Sequence, residues 1–69
     1  MRVTLVRHGE TDWNRDGIAQ GHTDIPLNSL GERQAEFLAT ALPTPPIQIL
    51  CSDLMRCLQT IQPYANRHA

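Results

Sequence analysis

Lysine is absent from this chain of 69 residues, whose six cationic side chains are all arginine: Arg2, Arg7, Arg15, Arg33, Arg56 and Arg67. Genomic codon bias is the plain reading of such a set, although arginine also presents the planar fork that meets phosphate oxygens in pairs. There is no excess of either charge, the formal net value being −1. A nucleic-acid partner recruited by basic charge is therefore not expected, nor is a disordered acidic tail. No apolar run is long enough to cross a bilayer or to form the core of a secretory signal, so no membrane association is expected. Cysteine is scarce: Cys51 and Cys57 fit neither a C-x-x-C redox pair nor a zinc knuckle. Without a secretory signal they are expected to stay reduced, which makes a cytoplasmic address the default. At this length the chain forms at most one small domain, burying only about 60% of the surface its unfolded form exposes.

The order of elements follows from periodicity. Residues 2–6 form a short β-branched and apolar run, predicted to be a strand buried on both faces. Residues 8–27 are dense in Gly, Asp, Asn, Thr and His and read as a long loop, with one turn of helix near residues 11–15. Asn28 is a plausible N-cap for a helix whose core face carries Gly31, Ala35, Leu38 and Leu42, flanked by Leu30, Phe37 and Ala41. The cluster Pro43-Thr44-Pro45-Pro46 stops that helix. A second strand over 47–51 follows. Ser52 or Asp53 is then expected to cap a last helix with Leu54, Met55, Leu58, Ile61 and Tyr64 at helical spacing, which Pro63 is expected to kink or to divide into a short first turn and a second helix. Strand, helix, strand predicts a parallel βαβ unit with a right-handed crossover. Both strands would end at the same sheet edge, bringing Arg56 toward Arg7 and His8.

That edge has a chemistry. A histidine nucleophile needs a neutral ring, one nitrogen aimed at phosphorus and the other held by a hydrogen bond. Two nearby arginines would disfavour its protonation and bind the phosphate oxygens. Gly9 lets the backbone approach the ligand. His8 alone would pass for a structural histidine, and Arg56 alone for a surface one; the pairing with Arg7 and the strand-end placement point to function instead. His22 reads as a solvated loop histidine and Trp13 as packing that pins the loop. The spacings of histidine and cysteine match no metal-ligand pattern, and neither metal nor cofactor is expected.

The ordered series Leu5-Val6-Arg7-His8-Gly9-Glu10-Thr11, Trp13-Asn14, Gln20-Gly21, Asp24-Ile25-Pro26-Leu27, Gly31, Gln34-Ala35 and Ser52-Asp53-Leu54-x-Arg56-x-x-Gln59-Thr60 resembles the N-terminal region of the histidine phosphatase superfamily. Continuation of the R-H-G tripeptide as Glu-Thr resembles the phosphoglycerate mutase-like branch rather than the acid phosphatases and phytases. The resemblance implies that residues 1–69 are the N-terminal part of a three-layer α/β/α domain. It also implies a phosphohistidine at His8, with Arg7 and Arg56 as the catalytic phosphate-binding arginines. Asn14, Gln20 and Gly21 join Arg7, His8 and Arg56 as substrate-binding residues, and Glu10 and Thr11 shape the loop. The substrate implied is a small phosphomonoester, hydrolysed by a phosphatase; mutase-type phosphoryl transfer is the alternative.

The departures from that pattern are specific. Cys51 and Cys57 stand where the family often has Ser and Ala, which are small replacements. The resemblance also implies a general-acid carboxylate and a second pocket histidine, and no motif in these residues matches either. His68 follows a helical segment and is not assigned. A segment with only this half-site is expected to be weak or inactive, a catalytically incomplete phosphate-binding fragment, because the leaving alkoxide has no proton donor. Its two-stranded sheet would expose an apolar edge and favour homo-oligomers.

Overall fold

A computed structural model of the chain describes residues 3–42 and 48–68. Within them lie three helices: α1 (Asp12–Arg15), α2 (Ser29–Ala41) and α3 (Met55–Arg67). Arg2, the proline cluster at 43–46 and Ile47 fall outside the described residues.

The predicted turn of helix at 11–15 is α1, and its cause is local. Thr11, fully buried, accepts a hydrogen bond on Oγ1 from the Asn14 backbone N–H (3.1 Å), while Asn14 Oδ1 accepts from the Thr11 N–H (3.1 Å). This reciprocal box satisfies two of the N–H groups that a helix start leaves open. Helix α2 begins as expected at Asn28, whose Oδ1 accepts from Gly31 N–H at 2.8 Å.

Helices α2 and α3 pack against one another along two stripes of period four. The α2 stripe is Gly31, Ala35 and Ala39, and the α3 stripe is Arg56, Thr60 and Tyr64, all buried. This corrects the expected faces. Leu38 and Leu42 are only half-buried, Ala41 is exposed, and Phe37 is 73% exposed. Met55 and Leu58 of α3 are also largely exposed. The reason is close approach: small residues on α2 admit α3, and backbone groups meet the Thr60 hydroxyl and both Arg56 Nη atoms, leaving Arg56 Nε as the buried group without a partner. Pro63 lies inside a single continuous α3 rather than dividing it.

The cap of α3 also differs from expectation. Leu54 is the N-cap, and the first helical N–H, that of Met55, donates to Asp24 Oδ1 at 2.7 Å from the loop before α2. Ser52 Oγ instead accepts from the Leu54 N–H at 3.3 Å.

The predicted strands are not formed as a ladder. Among the described residues, the β pairing is an isolated antiparallel bridge between Thr11 and Leu27. Residues 3–6 and 48–51 are exposed rather than buried on both faces, Leu5 by 91% and Leu50 by 85%. Two short strands alone gain too little to hold a sheet in water, and the apolar patterning of these segments has no surface here to pack against.

Candidate active site

The segment entering the loop ends in Arg7 and His8, and the backbone there is fixed by both long helices. His8 Nδ1 lies 2.7 Å from the carbonyl oxygen of Gly9. A carbonyl only accepts, so Nδ1 carries a proton and donates; in the neutral ring the free lone pair is then that of Nε2. Gly9 is buried, its N–H donating to Thr60 Oγ1 at 2.8 Å; the Thr60 hydroxyl donates to the Arg56 carbonyl at 2.6 Å. The next N–H, that of Glu10, donates to Gln34 Oε1 at 2.9 Å. Glu10 is itself tied to the start of α2, its Oε1 accepting from Asn28 Nδ2 (2.9 Å) and its carbonyl from Asn28 N–H (3.0 Å). Glu10 and Thr11 thus hold the loop.

Arg7, His8, Gly9, Glu10, Asn14 and Gln34 line one cleft. Asn14 presents its Oδ1 to Thr11, and no acceptor among the described residues takes its Nδ2. Arg56 lies outside this lining. Its guanidinium reaches the loop before α2 instead: Nη1 donates to the Thr23 carbonyl (2.7 Å) and Nη2 to the Gly21 carbonyl (2.8 Å). Gly21 takes a left-handed φ of 51°, which suits a glycine, and this turns the carbonyl toward Arg56. Gln20 Oε1 accepts from the Thr11 hydroxyl at 2.7 Å, so Gln20 braces α1. The site residues taken from the sequence therefore fall into two connected groups, Arg7–His8–Asn14 at the cleft and Gln20–Gly21–Arg56 behind the loop.

Arg56 is only 6% exposed, its Nε is buried without a hydrogen-bond partner, and no ion pair among the described residues involves it. A buried cation held by neutral carbonyls alone is electrostatically incomplete. The Arg15 hydrogen bond holds the exposed Asp16 carboxyl below the usual range, and burial pushes the Cys51 thiol up, with the Cys57 thiol adding to it.

His22 is exposed, and Trp13 is half-buried beside the loop. His68 packs against Tyr64 with ring centroids 4.5 Å apart and planes tilted by 55°, and takes no part in the cleft lining. Among the described residues, no group of three His, Cys, Asp or Glu side chains is arranged to hold a metal ion. No helix among them is long and apolar enough to cross a membrane. Two residues that sequence reasoning left without a role, Gln34 and Thr60, grip the backbone around His8. A threonine inside a helix was the available signal, since such a hydroxyl normally bonds only its own preceding turn.

The profile of the histidine phosphatase superfamily (branch 1) matches residues 3–69. A probable phosphatase of Schizosaccharomyces pombe is 51% identical over 65 residues, which are 93% of this chain and 31% of that protein. A probable phosphoglycerate mutase of Yersinia enterocolitica is 45% identical over 67 residues, 96% of this chain and 31% of that protein. The crystal structure of phosphoglycerate mutase from Thermus thermophilus superposes with a TM-score of 0.77 at 49% identity, over 86% of this chain and 33% of that one. The chain thus spans about a third of the length of the relatives it matches. With the ordered motifs, the folded core and the profile in agreement, this chain belongs to branch 1 of the histidine phosphatase superfamily.

Proposed function

We propose that the protein containing this chain is a phosphatase that hydrolyses a small-molecule phosphomonoester through a phosphohistidine at His8. The observation that carries this reading is the 2.7 Å contact of His8 Nδ1 with the Gly9 carbonyl inside a cleft shared with Arg7 and Asn14. It fixes the tautomer a nucleophile requires, with the Nε2 lone pair left to attack. Nε2 forms a bond to phosphorus as the ester P–O bond breaks, and the departing alkoxide takes a proton from a general acid. Water then attacks the phosphohistidine, releasing inorganic phosphate and returning the ring to its neutral state.

Positioning and charge neutralisation supply most of the rate in such a transfer. Arg7 binds phosphate oxygens from the cleft, and Asn14 adds a donor through Nδ2. Arg56, buried behind the loop without a counter-anion, is proposed as the second guanidinium, a role in which phosphate replaces the Thr23 and Gly21 carbonyls as its acceptor. Gln20 and Gly21 border the substrate entrance through the loop that Arg56 grips. Neither the general acid nor the second histidine has a candidate among these residues, so turnover is proposed for the whole protein and only weak activity for this segment alone. In that whole protein, 3–6 and 48–51 pair as parallel strands of a βαβ unit, which buries the apolar side chains exposed here.

Two relatives carry phosphatase and mutase names, and one 46% identical over 61 residues is an adenosylcobalamin/alpha-ribazole phosphatase of Salmonella typhimurium. Hydrolysis and mutase transfer differ in the acceptor, water or a second hydroxyl, after the same phosphohistidine. Incubation of the whole protein with a labelled phosphoryl donor is the direct test. Acid-labile, base-stable label that disappears in His8→Ala is the expected result; label that survives this substitution overturns the assignment.

A further inference from the structure

We infer that Thr60 and Gln34 are positioning residues for the nucleophile, acting together through the two peptide groups that flank Gly9. The inference rests on His8 as the phosphorylated residue and adds what orients it.

Gly9 has no side chain, so nothing of its own limits rotation about its backbone. Yet its carbonyl is the acceptor that sets the His8 tautomer and ring angle. Its two peptide groups need to be pinned from outside, and they are. The peptide between His8 and Gly9 is held through its N–H by Thr60 Oγ1 on α3 (2.8 Å). The peptide between Gly9 and Glu10, which carries that carbonyl, is held through its N–H by Gln34 Oε1 on α2 (2.9 Å). One plane is fixed by each long helix.

Thr60 is suited to this by more than position. It is 4% exposed, and its hydroxyl proton is committed to the Arg56 carbonyl at 2.6 Å. That leaves a lone pair facing Gly9, and donation in one direction strengthens acceptance in the other. Hydrogen bonds from the Arg56 carbonyl through Thr60 to the Gly9 N–H therefore fix one side of Gly9. On the other side, the peptide that joins the Glu10 N–H to the Gly9 carbonyl links Gln34 to the His8 ring. The same residue that supplies the buried guanidinium is tied by its own backbone to the nucleophile's orientation.

The test is nitrogen NMR of the imidazole of His8 in the whole protein without substrate, together with the rate of phosphohistidine formation. Wild type is expected to show the Nδ1–H tautomer and a slowly exchanging Gly9 amide. Thr60→Val and Gln34→Leu are expected to give mixed tautomers and about tenfold to a hundredfold slower phosphorylation, the scale of a small misplacement of a reacting group. Thr60→Ser, which keeps the hydroxyl, should match wild type in both. Gln34 is exposed, so its variant folds even where Thr60→Val does not. A wild-type tautomer and rate in Gln34→Leu, or a Gly9 amide that exchanges freely in the folded wild type, would overturn the inference. So would Thr60→Ser behaving as Thr60→Val. Absence of phosphohistidine in wild type, with the tautomer still dependent on both residues, would instead remove the phosphatase reading and leave the positioning intact.

Discussion

Gly9 and Gly31 meet backbone to backbone. A Cβ added to Gly9 would stand 2.8 Å from the Gly31 carbonyl oxygen, and one added to Gly31 would overlap the carbonyl oxygen of Glu10. The loop that carries His8 therefore lies directly on the first turn of α2, at a separation that only two glycines allow.

Gly31→Ala should consequently destabilise the protein although alanine is the better helix former. The propensity gain is at most about 1 kcal/mol, whereas forcing a methyl into packed backbone costs about 1–3 kcal/mol. Urea denaturation of the whole protein measures the sign. A variant more stable than wild type would show that the loop moves aside freely.

Asp24 joins the loop to α3 by capping it from a distance. Asp24→Ala removes the acceptor of the Met55 N–H and should cost about 1 kcal/mol, the usual value of a lost cap. Asp24→Asn keeps an acceptor and should recover most of it. Equal losses in both variants would mean that charge, not the hydrogen bond, is what matters at this position.

Arg56 spans two carbonyls with a planar fork that lysine cannot reproduce. Arg56→Lys should lose at least one of these part-buried hydrogen bonds, at about 0.5–1.5 kcal/mol. On the proposed function, inorganic phosphate should raise the melting temperature of the whole protein, and Arg56→Lys should abolish that rise. Unchanged thermal shifts on titrating phosphate into Arg56→Lys would remove Arg56 from the anion site.

Asp16 ties stability to pH in one direction. Its side-chain hydrogen bond from Arg15 lowers its folded-state pKa, so the contribution is present above the ordinary carboxylate range and is lost as pH falls through the depressed value. Both partners are solvent-facing, so the effect is small and screened by salt. An NMR titration of the Asp16 carboxyl should move back to the ordinary range in Arg15→Ala, and a titration that stays put would reject the pairing as its cause.

Local chemistry was the legible part of the sequence. Thr11 with Asn14, and Asn28 with Gly31, announce their helix starts because each cap is settled within a few residues. The R-H-G series marked a cleft for the same reason, since Arg7, His8 and Gly9 line it together. Faces were harder to read: spacing pointed to Leu38, Met55 and Leu58, but the contact between helices belongs to Gly31, Ala35 and Ala39 against Arg56, Thr60 and Tyr64. A buried stripe containing arginine and threonine is invisible to hydrophobic periodicity, because its members are buried only by virtue of acceptors and donors in a distant loop. The cap supplied by Asp24 and the roles of Gln34 and Thr60 are non-local in the same way. The strands were read from apolar runs, and such runs state a need for partners without supplying them.

The hydrogen bond between Gly9 and Thr60 closes a span of 51 positions. Closing so long a loop is slow relative to forming a helix turn, so this tie is among the late events as the chain folds. In a chain leaving the ribosome N-terminus first, residue 9 emerges before residue 60 has been made. The Gly9 amide therefore waits through synthesis for an acceptor on α3, and this part of the backbone is fixed only when the two long helices have docked.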